Sequence, residues 1–118
     1  MKFKIIFYET PNGKKPVYDF LESLDDKLQA KTFALIDVLQ DKGNALREPY
    51  TKHLDDGIFE LRCKLGKNLT RTLYFFYTGS KIVLTNGFVK KTSKTPSNVI
   101  DLAKKYRADF ISRQEESQ

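Results

Sequence analysis

The sequence predicts an α+β domain: an antiparallel β-sheet of about four strands, with an N-terminal helical pair and a C-terminal helix. Three observations carry this. Residues 58–88 hold three short runs rich in β-branched and aromatic side chains, separated by glycine-containing turns, which is the pattern of an antiparallel meander. Residues 16–42 and 97–111 place apolar side chains at helical spacing. The chain has 118 residues, enough for one compact domain (residues 1–118) and too few for two ordinary ones.

Lys2–Tyr8 reads as the first strand, and Thr10-Pro11-Asn12-Gly13 as a turn. Pro16 suits the first position of a helix, and Val17, Phe20, Leu21 and Leu24 recur at its period. Ser23-Leu24-Asp25-Asp26 is a short break with a new cap. A longer helix is expected from about Asp26 to Lys42, with Leu28, Leu35, Val38 and Leu39 on one face and Ala34 and Ile36 flanking. Gly43-Asn44 stops it, and Pro49 keeps the next segment out of a helix.

Ile58–Lys64 alternates strictly, with Phe59, Leu61 and Cys63 on one face and Glu60, Arg62 and Lys64 on the other. Gly66-Lys67-Asn68 is a turn. Arg71–Tyr77 and Ile82–Phe88 are the next two strands, joined by Thr78-Gly79-Ser80-Lys81 as a tight hairpin. Thr95-Pro96-Ser97 opens the last helix, with Val99, Ile100, Ala103, Tyr106, Phe110 and Ile111 on one stripe; residues 114–118 are expected to fray. Helices should cover one sheet face, leaving the other exposed and basic.

The charge is distributed unevenly. Residues 1–59 hold nine Lys/Arg and ten Asp/Glu, whereas residues 60–107 hold eleven Lys/Arg and only Glu60 and Asp101 as acids. A basic half of this kind attracts polyanions, above all nucleic acid, by counterion release. No apolar run approaches the roughly 18 residues of a membrane span, and the N-terminal apolar run is too short for a signal peptide. Cys63 is the single cysteine, so an intramolecular disulfide is excluded and a cytoplasmic protein is expected. A lone histidine without clustered carboxylates implies no metal, and no cofactor is expected.

Two stretches, "FELRCKLGKNLTRTLYFF" and "VLTNGFVKKTSKTPSNVIDLAKKY", carry a resemblance over essentially the whole chain. Glu60-Leu61-Arg62 on one strand, Arg71 opening the next, and Gly87-Phe88-x-Lys90-Lys91-Thr92-x-Lys94-Thr95-Pro96 before a helix resemble the HigB-type, phage-derived toxins of the RelE/ParE superfamily. The resemblance implies a RelE-like fold and a toxin of a type II toxin–antitoxin system. It also implies a ribosome-dependent endoribonuclease that inhibits translation by cleaving mRNA. The implied partners are a HigA-like helix-turn-helix antitoxin, through which alone operator DNA is contacted, and the ribosome with its mRNA. The ParE branch shares the fold but targets DNA gyrase, so a non-cleaving inhibitor is the alternative, and a basic nucleic-acid-binding module is a third reading.

Cleavage of this type uses the RNA 2′-hydroxyl as nucleophile. It needs a base, positive charge on the developing phosphorane, and an acid for the 5′-oxygen. Arg62 and Arg71 come together if their strands pair around the Gly66 turn, and guanidinium groups bind phosphate oxygens in bidentate fashion. Lys90 and Lys91, at a strand end, are candidates for acid–base work through crowding by other cations. Glu60, the only acid on this face, is expected to orient Arg62 or Lys90 in preference to acting as base. These five form the candidate catalytic set, with Lys64, Lys67 and Lys94 as candidate RNA contacts. His53, the only histidine, is either a contributor to acid–base chemistry or a loop residue that packs on its neighbours. Tyr74 either stacks on a base or belongs to the core. Cys63 reads as a small buried hydrophobe. Thr92, Ser93 and Thr95 read as caps of the last helix.

Overall fold

The computed structural model describes residues 2–91 and 94–117. The elements are β1 (Lys4–Phe7), α1 (Pro16–Glu22), α2 (Asp26–Lys42), a 3-10 turn (Gly43–Ala45), β2 (Thr51–Asp55), β3 (Ile58–Leu65), β4 (Asn68–Tyr77), β5 (Lys81–Val89) and α3 (Ser97–Glu116). The sheet therefore has five strands, in the order β1-β5-β4-β3-β2, where about four were expected. It is also mixed. β1 runs parallel to β5, and all other neighbours are antiparallel. The additional strand is β2, a short polar edge that the apolar pattern does not reveal.

The helices do not share one face, as the sequence reading had it. α1 and α2 pack on one side, where Val17, Leu21, Ile36 and Leu39 meet Leu61, Tyr74, Ile82 and Leu84. α3 packs on the opposite side, where Ala103 and Phe110 meet Ile58, Leu73, Phe75 and Val83. A sheet whose central strands bury both faces needs helices on both. The face read as bare and basic is thus covered by α3 over Ile58, Leu73, Phe75 and Val83.

Local signals explain the helix boundaries. Pro16 occupies the first turn of α1, and the Asp25 carboxylate caps α2 by accepting the Leu28 N–H. Gly43 ends α2 at φ +53°, and a Cβ there would lie 2.0 Å from the Phe3 ring. The buried face of α2 is Leu28, Thr32, Ile36 and Leu39, rotated from the expected one, and the buried Thr32 hydroxyl is satisfied by donating to the Leu28 carbonyl. Val38 is left exposed. α3 remains helical to Glu116, beyond the expected fraying point.

One backbone irregularity decides which way β5 points. Leu73 pairs with Asn86, but Tyr74 pairs with Leu84, so Thr85 is an extra residue opposite the junction. Its hydroxyl, with one proton to donate, lies 2.7 Å from Asn86 Oδ1 and 3.2 Å from the Leu73 carbonyl oxygen. A bulge shifts the two-residue alternation by one. Val83 faces α3 before it, and Asn86, Phe88 and Lys90 face α3 after it. Asn86 Nδ2 donates to the Val99 carbonyl of α3, while Gly87 faces α1, where a Cβ would lie 2.4 Å from the Phe20 ring.

Side-chain contacts tie α3 down along its length. Lys104 pairs with Asp55 at 2.5 Å, and Arg107 with Asp56 at 2.8 Å. Tyr8 stacks on Tyr106 and donates its hydroxyl to Asp109 Oδ2 at 2.6 Å. Burial, and then Asp109, push the Tyr8 phenol up to about 12 from its usual 10.0. A folded-state pKa above the unfolded one adds stability that is fully present below about pH 10 and lost as pH rises through about 12. Urea midpoints of the wild type are therefore expected to fall relative to those of Tyr8→Phe between pH 10 and pH 12. Parallel profiles for the two proteins would contradict this assignment.

Candidate functional site

The two-residue Gly66-Lys67 loop, with Gly66 at φ +61°, closes the β3–β4 hairpin between Leu65 and Asn68. That closure fixes the register, and Arg62 falls directly opposite Arg71. Like charges facing each other across a strand pair repel unless compensated. Glu60, two residues along the same face and 1% exposed, supplies the compensation. Its Oε2 accepts from Arg62 Nε at 2.9 Å and lies 3.5 Å from Arg71 Nε, an ion-pair distance without a hydrogen bond. Both arginines approach the carboxylate through Nε, which keeps their Nη ends out of that contact. Arg71 directs Nη1 to the Thr70 carbonyl at 3.0 Å.

The other carboxylate oxygen, Oε1, accepts from the Thr95 hydroxyl at 2.5 Å. Thr95 is thus no helix cap. The N-cap position of α3 is Pro96, which makes no side-chain cap. The hydroxyl instead fastens the segment before α3 to β3. Thr92 and Ser93, also read as caps, lie outside the described residues.

Next to this cluster opens a cleft of about 160 Å³, lined among others by Lys52, His53, Glu60, Arg62, Lys90 and Lys94. It lies below the roughly 300–1,000 Å³ of pockets that enclose a small ligand, so it is a docking notch and not an enclosing cavity. Lys52 arrives by pairing with Glu60 across β2–β3. Lys90 arrives by the β5 bulge, with its N–H held by the Leu69 carbonyl at 2.8 Å. Burial, and then the positive charge of Arg71, hold the Lys90 ammonium below the ordinary lysine range; Arg62 and Lys52 act in the same sense. Burial likewise lowers Arg71, whose guanidinium remains a cation.

A family model described as phage derived protein Gp49-like (DUF891) matches residues 19–108, which is 90 of the 118 residues. The chain belongs to the Gp49-like family. That family is known for toxins of toxin–antitoxin pairs. The match spans every residue of the Gp49-like cleft named above, and it leaves out β1 and the end of α3. No curated protein matches this Gp49-like chain.

Of the residues singled out from sequence, Glu60, Arg62, Arg71 and Lys90 meet at one point, and Lys94 lines the same cleft. His53 also lines it; its Nε2 accepts the Gly57 N–H at 3.1 Å and its ring packs on Phe59. Lys91 is exposed and not among the described residues that line the cleft. Lys67 is exposed in the hairpin loop, and Lys64 lines a different groove, beside α2. Tyr74 is removed from the cleft: it is buried on the α1–α2 side, with its hydroxyl 2.5 Å from that of Thr51. Cys63 is buried, as read. Sequence reasoning missed Thr95 and Lys52. The helix-capping position of Thr95 masked its long-range partner, and the polar strand that carries Lys52 has no apolar period. Among the described residues no three His, Cys, Asp or Glu side chains come together as a metal site.

Proposed function

We propose that this chain is the toxin of a type II toxin–antitoxin pair and a ribosome-dependent endoribonuclease of the HigB type. The observation that carries the reading is the buried Glu60 carboxylate holding Arg62 and Arg71 side by side, with Lys90 beside them. Two oriented guanidinium groups suit the non-bridging oxygens of a phosphodiester, where charge grows during in-line attack. Family membership and the resemblance of the Gly87–Pro96 stretch support the same assignment.

The chemistry then divides among named groups. Neutral Lys90 takes the proton of the 2′-hydroxyl as that oxygen attacks phosphorus. Arg62 and Arg71 stabilise the phosphorane, and the 5′-oxygen leaves taking a proton from solvent water, while Lys90 later returns its proton to solvent; the products are a 2′,3′-cyclic phosphate and a 5′-hydroxyl. Glu60 orients the arginines, and Thr95 orients Glu60. A helix-turn-helix antitoxin is the proposed neutralising partner. Mapping of mRNA 5′ ends after induction in cells lacking that partner should show new ends inside translated codons. Growth arrest without new ends would assign the chain to non-cleaving toxins instead.

Lys90 sets a pH dependence. As base it works only when neutral, so the single-turnover cleavage rate should climb with pH through a value below the usual lysine 10.5. Lys90→Arg should abolish that limb and lower the rate by about 10²–10⁴-fold, the contribution typical of a positioned base. An unchanged pH profile in the variant would take Lys90 out of proton transfer.

A further inference from the structure

Arg62 lines two concavities. One is the cleft; the other is a groove of about 510 Å³ between α2 and the ends of β3 and β4. Leu35, Val38 and Leu69 give this groove apolar walls, and Tyr50 lies along it with 54% of its surface exposed. Arg62 and Arg71 belong to its lining, together with Lys31 and Lys64; among the described residues no acidic side chain lines it, and the exposed Glu48 carboxylate lies 4.0 Å from Arg62 Nη1. Its volume falls in the range of roughly 300–1,000 Å³ that encloses a small ligand. The rotated face of α2 is what leaves Leu35 and Val38 available to it, although their spacing alone would assign them to the core.

We propose that this groove takes a nucleobase of the RNA strand whose phosphate sits in the cleft. The inference rests on the reading of the cleft as an RNA phosphate site, and adds to it a base-holding subsite at a defined place. Three features select this occupant. The ligand must be flat or apolar on one side to meet Leu35, Val38 and the Tyr50 ring, and every base offers such a π-face. It must carry negative charge nearby, because the whole charged lining is cationic. And it must continue into the cleft past Arg62, which a polynucleotide does by its next phosphate. A docked amphipathic helix would need apolar anchors over successive turns, more length than a volume of this size provides.

The test uses a 2′-O-methyl trinucleotide, which has no free 2′-hydroxyl and cannot be cleaved by this route, and inorganic phosphate as the control. In backbone amide NMR titrations, phosphate should move Glu60, Arg62, Arg71 and Lys90 only. The trinucleotide should move these and also Ala34, Leu35, Val38 and Leu69. Ala34 is an exposed groove residue on α2, so Ala34→Trp fills the space without entering the core. It should weaken trinucleotide binding at least tenfold and leave phosphate binding as it was. Identical shifts with phosphate and trinucleotide, or full trinucleotide affinity in Ala34→Trp, would overturn the subsite; so would groove shifts with an acidic peptide but none with the trinucleotide. The two readings fail separately. Intact codon cleavage with unchanged nucleotide preference in Ala34→Trp removes the groove and keeps the nuclease. Groove shifts that disappear in Ala34→Trp, in a protein that cuts no mRNA, keep the groove and remove the nuclease.

Discussion

Glu60→Gln is expected to destabilise the protein by about 3–5 kcal/mol, the typical cost of removing one partner from a buried ion pair. The carboxylate is 1% exposed, and the Arg71 side chain opposite it is 8% exposed, so water cannot replace the lost counter-charge. Two guanidiniums would then face each other across β3 and β4 with no anion between them. The Thr95 hydroxyl would also have to re-pair with an amide. For a domain of this size the loss corresponds to a fall in Tm on the order of 10–20 °C. Thermal unfolding followed by circular dichroism measures it. Replacing Arg71 by Met in the same protein should restore part of the loss, because the buried charge that Glu60 neutralised is then gone. A Glu60→Gln protein within about 1 kcal/mol of wild type would show that the carboxylate does not hold the cluster together.

The second large effect is on the proposed cleavage. Arg62→Ala should lower the single-turnover rate on ribosome-bound mRNA by about 10²–10³-fold, the usual cost of deleting a donor aimed at developing charge. Its side chain is 24% exposed, so the variant should keep its fold and the loss should be chemical. Arg71→Ala should lose comparable rate and also stability, since the arginine is buried. Arg62→Lys should recover little, because a lysine cannot donate from an Nε to Glu60 while presenting a planar pair of donors to a phosphate. Cleavage assays on folded variants, with their circular dichroism spectra as control, decide this. Wild-type cleavage by Arg62→Ala would place the reaction elsewhere.

Much of this arrangement is legible in the sequence, for physical reasons that also mark where legibility ends. The alternation of Phe59, Leu61 and Cys63 against Glu60, Arg62 and Lys64 assigns the faces of β3, and the Gly66 turn then brings Arg62 to Arg71. Pro16, the second cap at Asp25 and the Gly43 stop bound the two N-terminal helices. Periodicity sees one element at a time, however. It cannot tell that α3 lies across the sheet from α1 and α2, so it cannot tell that Glu60, on a charged face, is buried. It is blind to β2, whose Lys52, His53 and Asp55 are exposed at a sheet edge. The bulge at Thr85 is a property of pairing, visible only once β4 is laid beside β5. Without it, strict alternation would send Lys90 to the wrong side. The Asn86-Gly87 pair, which reads as part of a motif for chemistry, turns out to be a packing device: one residue bonds α3 and the other admits Phe20.

The parallel pairing of β1 with β5 sets an order of assembly. β2 to β5 form by successive hairpins, each between strands adjacent in the chain, whereas Lys4 must find Lys81. Contacts of such long sequence separation form late, because the loop entropy is lost before they contribute. Until β1 arrives, β5 is an open strand edge carrying Ile82, Val83 and Leu84, a template on which another chain can add. The strand left open is the one that leads directly into Lys90. The first strand therefore acts as a guard on this edge. Variants shortened before Tyr8 should be prone to self-association even where every residue of the cleft is retained, and soluble yield, more than catalysis, is where the loss of β1 will be felt.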